Sequence, residues 1–217
     1  IYEGYDKVND YNFVYKNKVI KPALIGLCGV WVSGGIEFNY PQHHRPTTFM
    51  PVECTIEEGP NGEKTAWVGE IESMYGIKGT VGVTIWPDRA YIAARVKLYN
   101  TTAQTQTFHW WANLAVHAND NYRLMFHVAD KYVSPGKKFF TWGRAEHGGV
   151  WQKNLTDEDG EYLEIMTSCY SDNQPDFAFL LPYETKTFEQ RWYSLCGLEQ
   201  LKNANQEAAV SLTDECV

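Results

Sequence analysis

Phe108-His109-Trp110-Trp111-Ala112-Asn113-Leu114-Ala115-Val116-His117 is the stretch on which the reading of this chain turns. Side chains of an extended strand alternate between faces, so His109, Trp111, Asn113, Ala115 and His117 share one surface while Trp110, Ala112, Leu114 and Val116 take the other. The second surface is apolar throughout and predicts a sheet with a buried face. The first carries two imidazoles, an indole and an amide. Packing does not require these groups, and they suit a concave, sugar-sized site.

Outward from this strand the pattern stays β. Residues 54–58 and 65–71 flank Gly59-Pro60-Asn61-Gly62, and residues 79–86 and 90–100 flank Pro87-Asp88-Arg89, so two antiparallel hairpins are predicted. Between 91 and 99, Tyr91, Ala93, Arg95, Lys97 and Tyr99 alternate with Ile92, Ala94, Val96 and Leu98. Residues 123–128, 138–142, 162–170 and 185–194 read as further strands, and 11–15 as a short edge strand. Residues 33–46, bounded by Gly and Pro and dense in Glu, Asn, His and Arg, read as a loop carrying function. Residues 198–209 are rich in Ala, Glu, Gln and Lys and read as a helix. The expected organisation is an all-β domain over residues 1–197 followed by a helical extension or linker over 198–217.

The 217 residues include 8 Trp and 14 Tyr, a composition that favours β structure and supplies stacking surfaces for ring-shaped ligands. Nineteen basic against 27 acidic residues give a net charge of −8 with no Lys/Arg stripe, which argues against a nucleic-acid partner. No apolar run reaches the length of a membrane span, and no basic-then-apolar leader opens the chain, so a soluble protein is expected with no membrane partner. Cytoplasmic, periplasmic and secreted locations all stay open. The opening Ile1-Tyr2-Glu3 lacks a start Met and reads as part of a longer protein. The five cysteines are scattered without a C-x-x-C pair, which predicts reduced thiols and neither a disulfide framework nor a zinc knuckle.

A second constellation lies on residues 162–170, where Tyr162, Glu164, Met166, Ser168 and Tyr170 share a face. A carboxylate in mid-strand, such as Glu164, is either solvated on a wet face or part of a site, because burying an unpaired charge is costly. Leu163-Glu164-Ile165-Met166, then Asp172-Asn173-Gln174-Pro175-Asp176-Phe177, then Leu180-Leu181-Pro182-Tyr183-Glu184-Thr185 and a strand ending Trp192-Tyr193 resemble, in order, the C-terminal run of the aldose 1-epimerases (galactose mutarotases). Upstream, residues 109–114 resemble that family's H-x-Y-F-N-L. The resemblance implies an antiparallel β-supersandwich and cofactor-free chemistry on a sugar. A strand Glu acts as general base on the anomeric hydroxyl and a His as acid on the ring oxygen, so that ring opening, rotation and reclosure invert the anomer. By position Glu164 is then the base and His109 the acid, with His117 its rival on the same face. Each His has an equally plain structural reading. The loop at 172–177 contributes Asp176 as a sugar contact. Met166 stands where that family has Gln, Tyr183 replaces its turn Gly, and residues 33–39 stand where it has His-Gly-Gly.

Across its length the chain also resembles an uncharacterised bacterial domain family of the mutarotase-like superfamily, often followed by tetratricopeptide repeats. Tyr5-Asp6-Lys7, Lys21-Pro22-Ala23, residues 33–39, Trp111-Ala112-Asn113, Pro135-Gly136-Lys137-Lys138, Trp142-Gly143 and Lys202-Asn203-Ala204-Asn205 carry that likeness. It implies a covalently linked helical-repeat neighbour and additional residues near Leu124-Met125 that this sequence lacks.

Glu37 is an alternative acid and, with Glu164, forms the carboxylate pair that a glycoside hydrolase needs. Asn39, His44 and Arg45 around it are candidate sugar contacts. Adjacent His43 and His44 point apart in an extended segment, so no metal site is expected. Residues 157–161 lack calcium-loop spacing and read as a solvated turn. Trp142 is either a stacking platform or core. The expected function is therefore carbohydrate binding with acid/base catalysis, as epimerase or hydrolase, without a cofactor. The alternative is a non-catalytic binding or interaction module of a larger protein.

Overall fold

The apolar side of the 108–117 stretch is buried as its alternation predicts, with Trp110, Ala112 and Val116 fully enclosed and Leu114 nearly so. This is seen in a computed structural model that describes residues 1–24, 30–48, 50–119, 122, 124, 137–140, 155–157, 159–171 and 176–212. These side chains belong to strand β11 (Trp110–His117), which sits inside an antiparallel four-stranded sheet. The order is β12 (Lys137–Phe140), β13 (Tyr162–Cys169), β11, β5 (Ile36–Asn39).

Against it packs a five-stranded antiparallel sheet in the order β15 (Thr185–Tyr193), β9 (Tyr91–Asn100), β8 (Ile77–Ile85), β7 (Lys64–Glu72), β6 (Glu53–Glu58). Both hairpins expected from the sequence are present. Ile92, Ala94, Val96 and Leu98 of β9, with Val81 and Trp192, meet Trp110, Leu114, Leu163 and Ile165 in one apolar core. Two-stranded ribbons complete the described part: β1 (Tyr5–Asp6) with β2 (Tyr11–Asn12), β3 (Pro22–Leu24) with β4 (Val30–Val32), β10 (Gln106–Phe108) with β14 (Ala178–Leu180), and β16 (Leu201–Ala204) with β17 (Ala209–Ser211). The protein is thus an all-β antiparallel sandwich. Among the described residues no helix is long and apolar enough to cross a membrane.

Three elements differ from the sequence reading. Residues 106–117 form two strands rather than one, because the His109 N–H leaves the ladder to donate to the Pro41 carbonyl at 2.6 Å. Residues 33–46 are not all loop, since Ile36–Asn39 pairs with β11 as an edge strand. The expected helix over 198–209 is instead the β16–β17 hairpin. There the Asn205 side chain accepts from the N–H groups of Glu207 and Ala208, both at 2.8 Å, and this local turn outweighs the helix preference of the flanking residues. The strand expected over 123–128 falls almost entirely outside the described residues.

The entry to β5 explains its glycines. Gly34 and Gly35 have φ of 88° and 75°, which admits the chain to the sheet where the Gly35 carbonyl accepts from Ala115 at 2.9 Å. A Cβ on Gly35 would press directly onto the Ile1 carbonyl oxygen. Gly35→Ala is expected to cost about 2 kcal/mol of stability through strain at positive φ and that clash. A urea midpoint unchanged from the parent would refute this account of the turn.

Candidate functional site

Directly paired residues of antiparallel strands point to the same face. The register sets Glu37 opposite Asn113, Asn39 opposite Trp111, Glu164 opposite Ala115 and Tyr162 opposite His117. The face of the four-stranded sheet turned away from the main core therefore gathers two carboxylates, two amides, an indole and a phenol. Glu37 and Glu164 lie on the strands flanking β11, with backbones about 12 Å apart from strand spacing and rise.

Glu164 is 4% exposed. Its Oε1 accepts from the Tyr162 hydroxyl at 2.6 Å and from Trp31 Nε1 at 3.0 Å. A small apolar cluster of Tyr15, Trp31, Ala115, Leu155 and Tyr162 encloses this corner of the sheet, with Phe140 packed beside it. Burial raises the Glu164 carboxyl to about 7, opposed by the Tyr162 hydrogen bond, reinforced by the charge of Glu37, and opposed again by His44 and the Trp31 hydrogen bond. The wet-face reading of this residue is excluded by its burial.

Glu37 is also buried, and both its oxygens are hydrogen-bonded. Oε2 accepts from Asn39 Nδ2 at 3.2 Å and Asn113 Nδ2 at 3.4 Å and meets His44 Nδ1 at 2.9 Å, while Oε1 accepts from the Thr48 hydroxyl at 3.0 Å. Thr48 closes a 3-10 turn at Pro46–Thr48. Among the described residues the amide oxygens of Asn39 and Asn113 have no hydrogen-bond partner, although both residues are at least nine-tenths buried. Such an unmet acceptor costs about 1–3 kcal/mol, so each calls for a reason.

The other expected residues are placed as follows. Trp111 is on this face but buried, so its indole is not an open stacking platform. His117 is the diagonal neighbour of Glu164, half-buried, edge-on to Tyr15 with ring centroids 4.5 Å apart. Burial holds its imidazole below the usual range, partly offset by Asp159. His109 is not brought to Glu164. It lies six residues before Ala115, the residue opposite Glu164, or about 20 Å of extended chain. Its ring stacks on Phe177 at 5.6 Å and meets His43 edge-on at 5.2 Å, fully buried. Arg45 turns away from the face: its Nε bonds Glu70 Oε1 at 2.5 Å and its Nη1 donates to the Tyr40 carbonyl at 3.1 Å, tying the loop to β7. Asp176 is exposed. Trp142 lies outside the described residues.

Sequence reasoning did not place Trp31, Tyr162 or Thr48 among the site residues. Tyr162 had a usable signal, since it stands two residues before Glu164 and shares its face. Trp31 and Thr48 reach the carboxylates from distant segments that no local period announces. Among the described residues no group of three or more His, Cys, Asp or Glu is gathered to hold a metal ion.

Fold and site define an all-β sandwich domain with a buried, acceptor-rich sheet face. A family described as a domain of unknown function (DUF5107) matches residues 1–127 and 120–194, and the chain belongs to that family. The structure is similar to that of a TPR-domain containing protein from Parabacteroides distasonis, with a TM-score of 0.75 at 20% identity over 89% of this chain and 43% of that one. At that identity the likeness establishes the fold. This chain spans less than half of that protein.

Proposed function

We propose that this is a carbohydrate-active domain that binds a sugar on the β12-β13-β11-β5 face and acts on it by cofactor-free acid/base chemistry. The observation that carries the reading is Glu164: a buried carboxyl at about 7 shares one sheet face with a second carboxylate, Glu37, across Asn113. A group poised near neutrality exchanges protons readily with a sugar hydroxyl at physiological pH. Glu164 takes the proton of the anomeric hydroxyl, and the His44–Glu37 pair supplies the second proton-exchanging group in place of His109. The ordered likeness of Leu163-Glu164-Ile165-Met166 and the segments after it to the aldose 1-epimerases supports the same reading.

A second reading is a non-catalytic binding module. It is favoured by the burial of Glu164, whose Oε1 is held by the Trp31 and Tyr162 donors. The similarity to a TPR-domain containing protein supports a neighbour built of helical repeats in either case. The two separate on pure anomers of glucose and galactose followed by their anomeric proton signals, alongside reducing-end release from oligosaccharides. Acceleration over buffer in either assay supports catalysis. Sugar affinity without turnover supports the module, and neither binding nor turnover across the panel removes both.

A further inference from the structure

Two amide oxygens on the site face have unmet valence, and what surrounds them limits what can meet it. Asn39 and Asn113 are 3% and 4% exposed, sit diagonally on neighbouring strands, and both turn their Nδ2 groups onto the same oxygen of Glu37. That shared anchor orients both amides through their Nδ2 groups, and both Oδ1 atoms are left buried without a hydrogen-bond partner among the described residues. Glu37 is largely engaged by the protein: His44, Asn39 and Asn113 meet its Oε2 and Thr48 donates to its Oε1. A divalent cation needs charged oxygen ligands, and here the carboxylate is already wrapped in donors, leaving only two neutral carbonyls. Two neutral acceptors held on neighbouring strands suit a ligand that brings two O–H donors.

We propose that Asn39 and Asn113 form a recognition subsite for two neighbouring hydroxyl groups of the ligand, anchored by Glu37. This rests on reading the face as a carbohydrate site and adds what that reading does not contain: which residues select the sugar, and by which of its groups. The amides are positioned before the ligand arrives. A sugar lacking one of the two hydroxyls leaves a buried acceptor unmet and is rejected far more strongly than a lost surface contact would allow.

The test uses the full chain and calorimetric titration with methyl glycosides of galactose, glucose, mannose and N-acetylglucosamine, then the monodeoxy analogues of whichever binds. Removing one of two adjacent hydroxyls is expected to weaken binding by at least about tenfold. Asn39→Ala and Asn113→Ala are each expected to weaken the parent glycoside similarly, while each leaves the affinity of one deoxy analogue nearly unchanged. That pairing of variant with analogue is a signature a purely structural role does not produce. Both variants are expected to melt within about 3 °C of the parent, because each loses one long hydrogen bond together with one unmet acceptor. Should an alanine variant fail to fold, Asn→Ser at the same position is used with the same expectation. If a glycoside binds and its affinity ignores both amides, the subsite is wrong and the carbohydrate reading stands. If no glycoside binds, the carbohydrate reading falls and the subsite with it.

Discussion

Glu164→Gln is expected to lower turnover of the sugar substrate by about 10²–10⁴-fold while leaving the fold intact, because it removes the proton-exchanging oxygen and keeps its shape. Gln retains an acceptor oxygen for Tyr162 and Trp31, so the two hydrogen bonds that hold the side chain persist. The same variant carries a second signature in stability. The carboxyl titrates from an ordinary 4.5 in the unfolded chain to about 7 in the folded one. Between those values the folded protein keeps a proton that the unfolded chain releases, so unfolding is favoured progressively as pH rises. The contribution of Glu164 is therefore greatest below about pH 4.5, is lost through about pH 7, and stays lost above it, a span of about 3 kcal/mol. Subtracting urea unfolding curves of the variant from those of the parent between pH 5 and 8 isolates this component from groups such as His117, which shift the other way. Above pH 7 the variant is expected to be at least as stable as the parent, the usual relation at a site whose chemistry opposes folding. A parent-minus-variant difference that does not change with pH would show that Glu164 is not held protonated.

The parts of this site that were legible in the sequence are those governed by the two-residue period of a strand. Trp110, Ala112, Leu114 and Val116 reach the core, and Tyr162 and Glu164 share a face, because alternation fixes side-chain direction wherever a strand is continuous. What it could not give was where continuity stops. His109 reads as the first member of the polar face, yet the Pro41 carbonyl and the Phe177 ring, both from distant loops, draw it out of register. Ile36–Asn39 is too short a strand to be heard above its Gly and Pro flanks, although its alternation of Ile36 and Phe38 with Glu37 and Asn39 is complete. Arg45 looked like a sugar contact beside His44. Only the fold brings Glu70 within reach to claim it. Tyr183 holds φ of 59° in an exposed turn, a left-handed conformation that glycine adopts without strain.

Trp110→Ala is expected to remove about 3–5 kcal/mol of stability, which against typical totals of about 5–15 kcal/mol leaves little or no margin. Trp110 is fully buried where the two sheets meet. It stacks on Phe38 and Tyr40 with centroids 5.5 and 5.8 Å away and takes Phe188 edge-on at 5.3 Å. Its indole N–H donates to Gln190 Oε1 at 2.9 Å, and Gln190 in turn donates to Thr167 at 3.1 Å, so one polar chain links β15 to β13 through the core. Alanine therefore opens a cavity and leaves a carbonyl oxygen of Gln190 without its donor, two independent losses. Trp110→Phe keeps most of the ring packing and forfeits the hydrogen bond, and is expected to cost about 1–2 kcal/mol. The ordering matters for function because Trp110 begins β11, the strand that carries Asn113 and separates Glu37 from Glu164. Loosening its anchorage shifts both carboxylates relative to each other without touching either. Urea unfolding of both variants measures the two costs. A loss below about 1 kcal/mol for alanine would mean that the sheets are held together elsewhere.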